Sequence, residues 1–185
     1  IKLFDLPQIE QINLAFDYPD YTQLTDTTEE DSGDMIVPEG TQVLLDIQFN
    51  KAIATARVEF EESYRDPEET GSELASYQDL DLEIDGDIGS ASFTVTQDGV
   101  YRIFATDLAG LESQEPRDYF IRAIEDAPPE LSLRRPGRDQ EVMPLEEVVL
   151  EMDASDDYGL SEFTLHYSAV GSDEVEVDFL SEENV

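Results

Sequence analysis

An all-β chain, built as two tandem immunoglobulin-like β-sandwich domains with the second incomplete, is what three features of the sequence predict. Apolar and polar residues alternate at period two in short runs. Glycine, proline and aspartate punctuate those runs, and no segment sustains a helical stripe over three turns. Short strands at that spacing are the pattern of a sandwich. At 185 residues, 39% of them hydrophobic, the chain suffices for one large domain or two small ones, each with a packed core.

The strands follow in order. In "TQVLLDIQF" the residues Val43, Leu45, Ile47 and Phe49 fall on one face, as a half-buried strand requires. "DLDLEIDGD" alternates Leu80, Leu82 and Ile84 with acids and ends at an Asp-Gly turn. "ASFTVTQDGVYRIFATD" holds two alternating runs either side of Asp98-Gly99, a hairpin-type signal. "RDYFIRAI" reads as a further strand. Tyr101, two places after the Asp-Gly pair, suits the tyrosine corner of immunoglobulin-like folds, and Ile103 would then stand where those folds carry their second cysteine.

The domain boundary is expected in "IEDAPPEL". Neither Pro128 nor Pro129 can donate a ladder hydrogen bond, and a proline pair makes a stiff, extended connector. This divides the chain into residues 1–126 and 127–185. An internal repeat supports the division: a shift of 105 residues aligns Val43 with Val148, Leu45 with Leu150, Ile47 with Met152, Val58 with Phe163 and Phe60 with Leu165. The second domain then has too few residues after Leu165 to complete its sheets, so its C-terminal strands are expected to be missing and the chain to be a fragment of a longer protein.

"DYPDYTQL", "GDMIVPEGTQVLLDIQFNKAIATARVEF" and "DGVYRIFATDLAGLES" resemble the first extracytoplasmic module of large, membrane-anchored bacterial envelope proteins of uncharacterised domain family 4175. "DAPPELSLRRPGRDQEV" with "MDASDDYGLSEFTLHYS" resembles the start of the next module. The resemblance implies tandem immunoglobulin-like or fibronectin type III-like modules on the periplasmic or extracellular side of the envelope. It brings no activity with it.

Candidate chemistry is sparse. The chain has no cysteine, which removes disulfides, zinc-thiolate sites and thiol catalysis together. The one histidine, His166, lies between Leu165 and Tyr167 on an expected strand, and no serine sits in a G-x-S-x-G elbow. Neither a phosphate-cradling glycine loop nor a dinucleotide fingerprint is present. "DLEIDGDIGS" begins like a calcium loop with Asp81, Glu83, Asp85 and Gly86, but Ser92 stands where the bidentate glutamate belongs. A strand ending at a turn explains it.

"DASDDYGL" is the better calcium candidate. The repeat makes it the corner between the second and third strands of the second sandwich, and Asp126 in the linker is expected to approach it. The calcium ligands would be Asp126, Asp153, Asp156 and Asp157. The same residues also suit a plain turn, because aspartate bonds its own backbone and Gly159 supplies permissive dihedrals. No other cofactor is expected.

The function these readings favour is a non-enzymatic structural spacer or protein-interaction module of a bacterial cell-envelope protein. Its partners would be the parent's other domains or further envelope proteins, and its state a monomer or a dimer through the open second domain. Exposed aromatics such as Tyr18 and Tyr21 would make contacts in such a module, while Pro19 between them equally suits a strand end. The alternative is a calcium- or carbohydrate-binding module appended to a larger enzyme, carbohydrate being favoured by a planar row of exposed aromatics on one sheet face. No apolar run approaches a membrane span, so these residues are not expected to insert directly.

Charge narrows the partners further. Forty-six acids against ten bases give a formal charge of −36, spread along the whole chain. Such a surface repels nucleic acid and anionic membranes. Lys2 and Lys51 are the only lysines. Acid enrichment with lysine depletion is what a salty, halophilic setting selects, since at about 1 M salt the screening length shrinks to about 3 Å. The thermal midpoint is therefore expected to rise strongly between dilute buffer and molar sodium chloride; a flat response would contradict the halophilic reading.

Overall fold

Period-two alternation produces the burial that it predicts. In the computed structural model, which describes residues 5–62, 77–114, 116–138, 143, 147–168 and 173–180, strand β4 (Gln42–Phe49) buries Val43, Leu45, Ile47 and Phe49 to 1% exposure or less. Strand β9 (Gly99–Asp107) alternates buried and half-buried residues along its whole length. The chain is almost entirely β among the described residues, its only helical element being the single turn Asp20–Thr22.

Two five-stranded sheets form the first part of the chain. One runs β2 (Thr27–Glu30), β1 (Ile9–Asp17), β4, β8 (Ile88–Thr94), β7 (Glu83–Asp85). The other runs β3 (Met35–Pro38), β10 (Tyr119–Ile124), β9, β5 (Ile53–Glu62), β6 (Leu80–Asp81). All pairings are antiparallel except β3 with β10, where Met35 lies opposite Ile121 and Val37 opposite Ala123 in parallel. From side to side, β1-β4-β8-β7 follows the A-B-E-D strand order that immunoglobulin-type sandwiches have, and β10-β9-β5 follows their G-F-C order. Strand β3 adds an A′ edge and β2 an extra strand.

The core lies between these sheets. Leu14, Leu45, Ile47, Val58, Val95 and Tyr101 are its most completely buried side chains, and Ile103 fills the position expected of it. Burying a leucine or isoleucine of this kind stabilises by about 1.5–3 kcal/mol. An aromatic group closes one part of the core: Phe60 stacks on Tyr77 at 4.9 Å, edges Phe93 at 5.2 Å, and Tyr101 stacks on Tyr119 at 5.2 Å.

Two turn assignments made from the sequence need correction. The Asp98-Gly99 pair does not close a hairpin, because β8 and β9 belong to different sheets and the chain crosses the sandwich between them. Buried Val95 plugs that crossing, which a two-residue hairpin could not provide. Tyr101 is also no local tyrosine corner: its hydroxyl donates to the Gly33 carbonyl, 68 residues away, at 2.5 Å. Tyr77 does the local work instead. Its hydroxyl donates to the Gln97 carbonyl at 2.6 Å and accepts from the Thr96 and Gln97 amides at 3.1 and 3.2 Å.

"DLDLEIDGD" is likewise two short strands rather than one. β6 pairs with β5 and β7 with β8, so the chain changes sheets at buried Leu82. Gly86, at φ 66°, makes the turn into β8.

The chain forms two compact units, Ile1–Glu125 and Asp126–Val185. The second unit holds two antiparallel pairs, β11 (Glu130–Arg135) with β12 (Glu151–Ser155), and β13 (Thr164–Tyr167) with β14 (Val175–Asp178). Leu131 faces Ala154 and Leu133 faces Met152 across the first pair, yet Leu131 and Leu133 are 65% and 51% exposed. None of the unit's described residues is buried. Of the repeat's first three partners only Met152 lies in a strand; Val148 and Leu150 precede β12 and are exposed.

Candidate functional site

The aspartates proposed from sequence separate into two groups. Asp153 lies on β12, and its carboxylate pairs with the Arg134 guanidinium on β11. Asp126, Asp156 and Asp157 lie near enough to one another for their charges to interact. Asp156 Oδ2 accepts the Tyr158 amide at 3.1 Å, the aspartate turn expected there, and Gly159 takes φ 92°. The Asp126 carboxyl is held above the ordinary range, first by desolvation and then by the charges of Asp157 and Asp156. Desolvation followed by Asp157 and Asp126 also raises the Tyr158 phenol. Among the described residues no three carboxylate or imidazole groups are arranged to hold a metal ion.

The Asp126 shift fixes a sign. A raised folded-state value means that holding Asp126 ionised, first because it is desolvated and then because it lies beside Asp157 and Asp156, costs stability at neutral pH. The cost is relieved as pH falls from that value toward about 3.9, where the unfolded carboxyl also protonates.

His166 faces solvent on β13 with Nδ1 3.3 Å from Glu174. Asp81, Glu83 and Asp85 are exposed and lie on β6 and β7, strands of different sheets. Tyr18 stacks on Phe16 and its hydroxyl bonds Thr27 at 2.9 Å, while Tyr21 donates to the Glu39 carbonyl at 2.9 Å. Lys51 bridges Asp5 and Asp107. Asp107, nearly buried, is held below the ordinary carboxylate range foremost by the Leu111 amide, with Ala109 and Lys51 adding to it against desolvation. This is a loop staple.

Two features escaped sequence reasoning. The first is the outer face of the sheet containing β9. Alternation turns Arg57 on β5, Arg102 on β9 and Arg122 on β10 outward, together with Phe104, Phe120 and Ile36. Phe120 is 57% exposed and Ile36 69%. Phe120 lies opposite Val100, Arg122 opposite Ile36, and Arg57 sits over the Phe104 ring at 5.5 Å. Arg102 bonds Asp118 and Glu61, which raise its pKa, the Asp118 bond foremost. Arg122 has no ion pair among the described residues. The strands of the other sheet carry no arginine or lysine at all. Period two was legible in sequence, but which sheet each strand joins was not.

The second is a cleft of about 580 Å³ where the chain passes from β2 to β3. One wall is Asp31 to Asp34, another is the start of β1, and the third is the segment leading into β10. Phe49, Ile12 and Ile103, all buried, form its floor. Gly33 is required at the wall: a Cβ there would lie 2.2 Å from the Tyr119 ring. Tyr119 is 8% exposed, and its phenol is raised by burial, with Asp34 and Asp31 adding and Arg117 opposing.

No protein-family model, curated protein or solved structure matches the chain. The fold and these surfaces therefore carry the functional argument.

The carboxyl carbon of Asp126 is expected to titrate above the usual aspartate midpoint in an NMR pH series, and to move down in Asp157→Asn. An ordinary midpoint unchanged by the substitution would contradict the proximity described.

Proposed function

We propose that the chain is a non-enzymatic interaction and spacer module of a bacterial cell-envelope protein, acting on the periplasmic or extracellular side. The observation that carries the interaction reading is the outward face of β10-β9-β5. On a chain of charge −36, this one sheet gathers three arginines with exposed Phe120 and Ile36. Arginine and aromatic residues are the types enriched at protein interfaces, whereas aspartate and glutamate are depleted there. Glu59, Glu61 and Asp118 partly balance the arginines, so the face is far less repulsive to another acidic protein than the rest of the molecule. The other domains of the parent, or other envelope proteins, are the partners it suits.

The spacer role rests on the residues between β10 and β11. Ala127, Pro128 and Pro129 are exposed and outside any strand, and a proline pair favours an extended connection. The envelope location and a tandem immunoglobulin-like organisation rest on the resemblance of the quoted segments to membrane-anchored envelope modules. The two strand pairs of the second unit agree with the opening strands of such a sandwich.

A photo-reactive benzophenone side chain placed at Phe120, compared with one at Leu44 on the opposite sheet, tests the reading in producing cells. A discrete cross-linked adduct is expected at 120, absent at 44 and lost when Arg122→Glu is added. Equal adducts at both positions, or none at 120, would contradict it.

A further inference from the structure

We infer that the cleft beside Gly33 binds a cationic organic group, an alkylammonium or guanidinium borne on a short apolar stem. This goes beyond the interaction face, which lies on the outside of the sheet and shares none of the groups invoked here.

The first observation is Tyr119. Nine-tenths of this residue is buried, its ring fixed between Gly33 and the Tyr101 ring. Its hydroxyl nevertheless forms no hydrogen bond among the described residues. Every fully buried side-chain nitrogen or oxygen among them has a partner, so the Tyr119 hydroxyl is not sealed in the core; it belongs to the cleft that the residue lines. An unpartnered polar atom on an otherwise buried side chain is a group that a ligand satisfies at no cost in side-chain order.

Charge selects the ligand. The cleft is lined by three carboxylates, Glu10, Asp31 and Asp34, against one cation, Arg117. Neither Glu10 nor Asp31 forms an ion pair among the described residues. Asp34 uses Oδ1 to accept the Phe120 amide at 2.9 Å, which leaves its other oxygen available. Arg117 lies over the Tyr119 ring at 5.4 Å and closes on no carboxylate among the described residues. With this excess of negative charge, on a chain of −36, an anionic ligand is repelled and a cation is drawn in.

Size and floor complete the selection. A volume of about 580 Å³ lies within the range of small-molecule sites, about 300–1,000 Å³. The floor of Phe49, Ile12 and Ile103 is apolar, so it accepts a short hydrocarbon stem rather than a hydrated metal ion. The stem rests on the floor while the charged head reaches Asp31, Glu10 and the Tyr119 hydroxyl. The same head group arises on a free amine or on a lysine or arginine side chain of a partner protein.

Calorimetric and NMR titrations of the whole chain with agmatine, with acetyl-Gly-Arg-Gly-amide and with acetyl-Gly-Gln-Gly-amide test this, in 0.5 M sodium chloride to suppress diffuse counter-ion binding. Saturable one-to-one binding of at least one guanidinium probe is expected, with no saturable binding of the glutamine peptide. Agmatine alone would indicate a free amine ligand, and the arginine peptide a partner's side chain. Tyr119→Phe and Asp31→Asn are each expected to weaken binding by about 2- to 10-fold, the loss of one hydrogen bond, and Glu83→Gln on β7, outside the cleft lining, to leave it unchanged. Asp31 is exposed, so its variant keeps the test sound should Tyr119→Phe melt early. Non-saturable heats, equal weakening by Glu83→Gln, or binding of the glutamine peptide as tight as that of the arginine peptide would overturn the inference.

Discussion

The hydrogen bond from the Tyr101 hydroxyl to the Gly33 carbonyl is the constraint on which the first unit turns. The chain must leave the sheet of β1 and β2 and enter the opposite sheet as β3, and Gly33 is where it crosses. A crossing this close to the core leaves a backbone carbonyl without a strand partner, and an unpaired buried carbonyl costs about 1–3 kcal/mol. Tyr101 supplies the donor from near the start of β9. Burial raises its phenol far above the ordinary range, with Tyr119 and Asp34 adding, which favours the protonated donor form. The ring of Tyr119 then packs so tightly on Gly33 that only glycine fits.

Much follows from that crossing. It lets β3 run parallel to β10, which sets Ile36 opposite Arg122 on the outer face. It also holds Asp31 and Asp34 as one wall of the cleft whose floor is the core itself. The arginine-bearing face and the cleft are thus two consequences of one strand changing sheets, one on the outside of the sheet and one at its margin.

The sheets were legible in sequence wherever alternation alone decides burial. Val43, Leu45, Ile47 and Phe49 face the core as period two requires, and Ile103 fills its expected place. What alternation cannot specify is partnership. A run such as "ASFTVTQDGVYRIFATD" has the same pattern whether its halves pair as a hairpin or cross a sandwich, and only buried Val95 and the distant Tyr77 hydroxyl decide between them. The arginine-bearing face was hidden for the same reason: Arg57, Arg102 and Arg122 are far apart in sequence and come onto one face only once β5, β9 and β10 are seen to share a sheet. The corner at Asp156–Gly159 was readable because an aspartate turn is local. That Asp153 would turn to Arg134 was not, since the register of β11 on β12 sets it.

The most direct test of this account is equilibrium denaturation of Tyr101→Phe with amide hydrogen exchange of β3. The ring is kept, so the packing against Tyr119 survives and only the donor is lost. A loss of about 1–3 kcal/mol is expected, with the amides of Met35 to Val37 exchanging markedly faster than those of β4. Unchanged stability and unchanged protection of β3 would contradict the central place given to the Gly33 crossing.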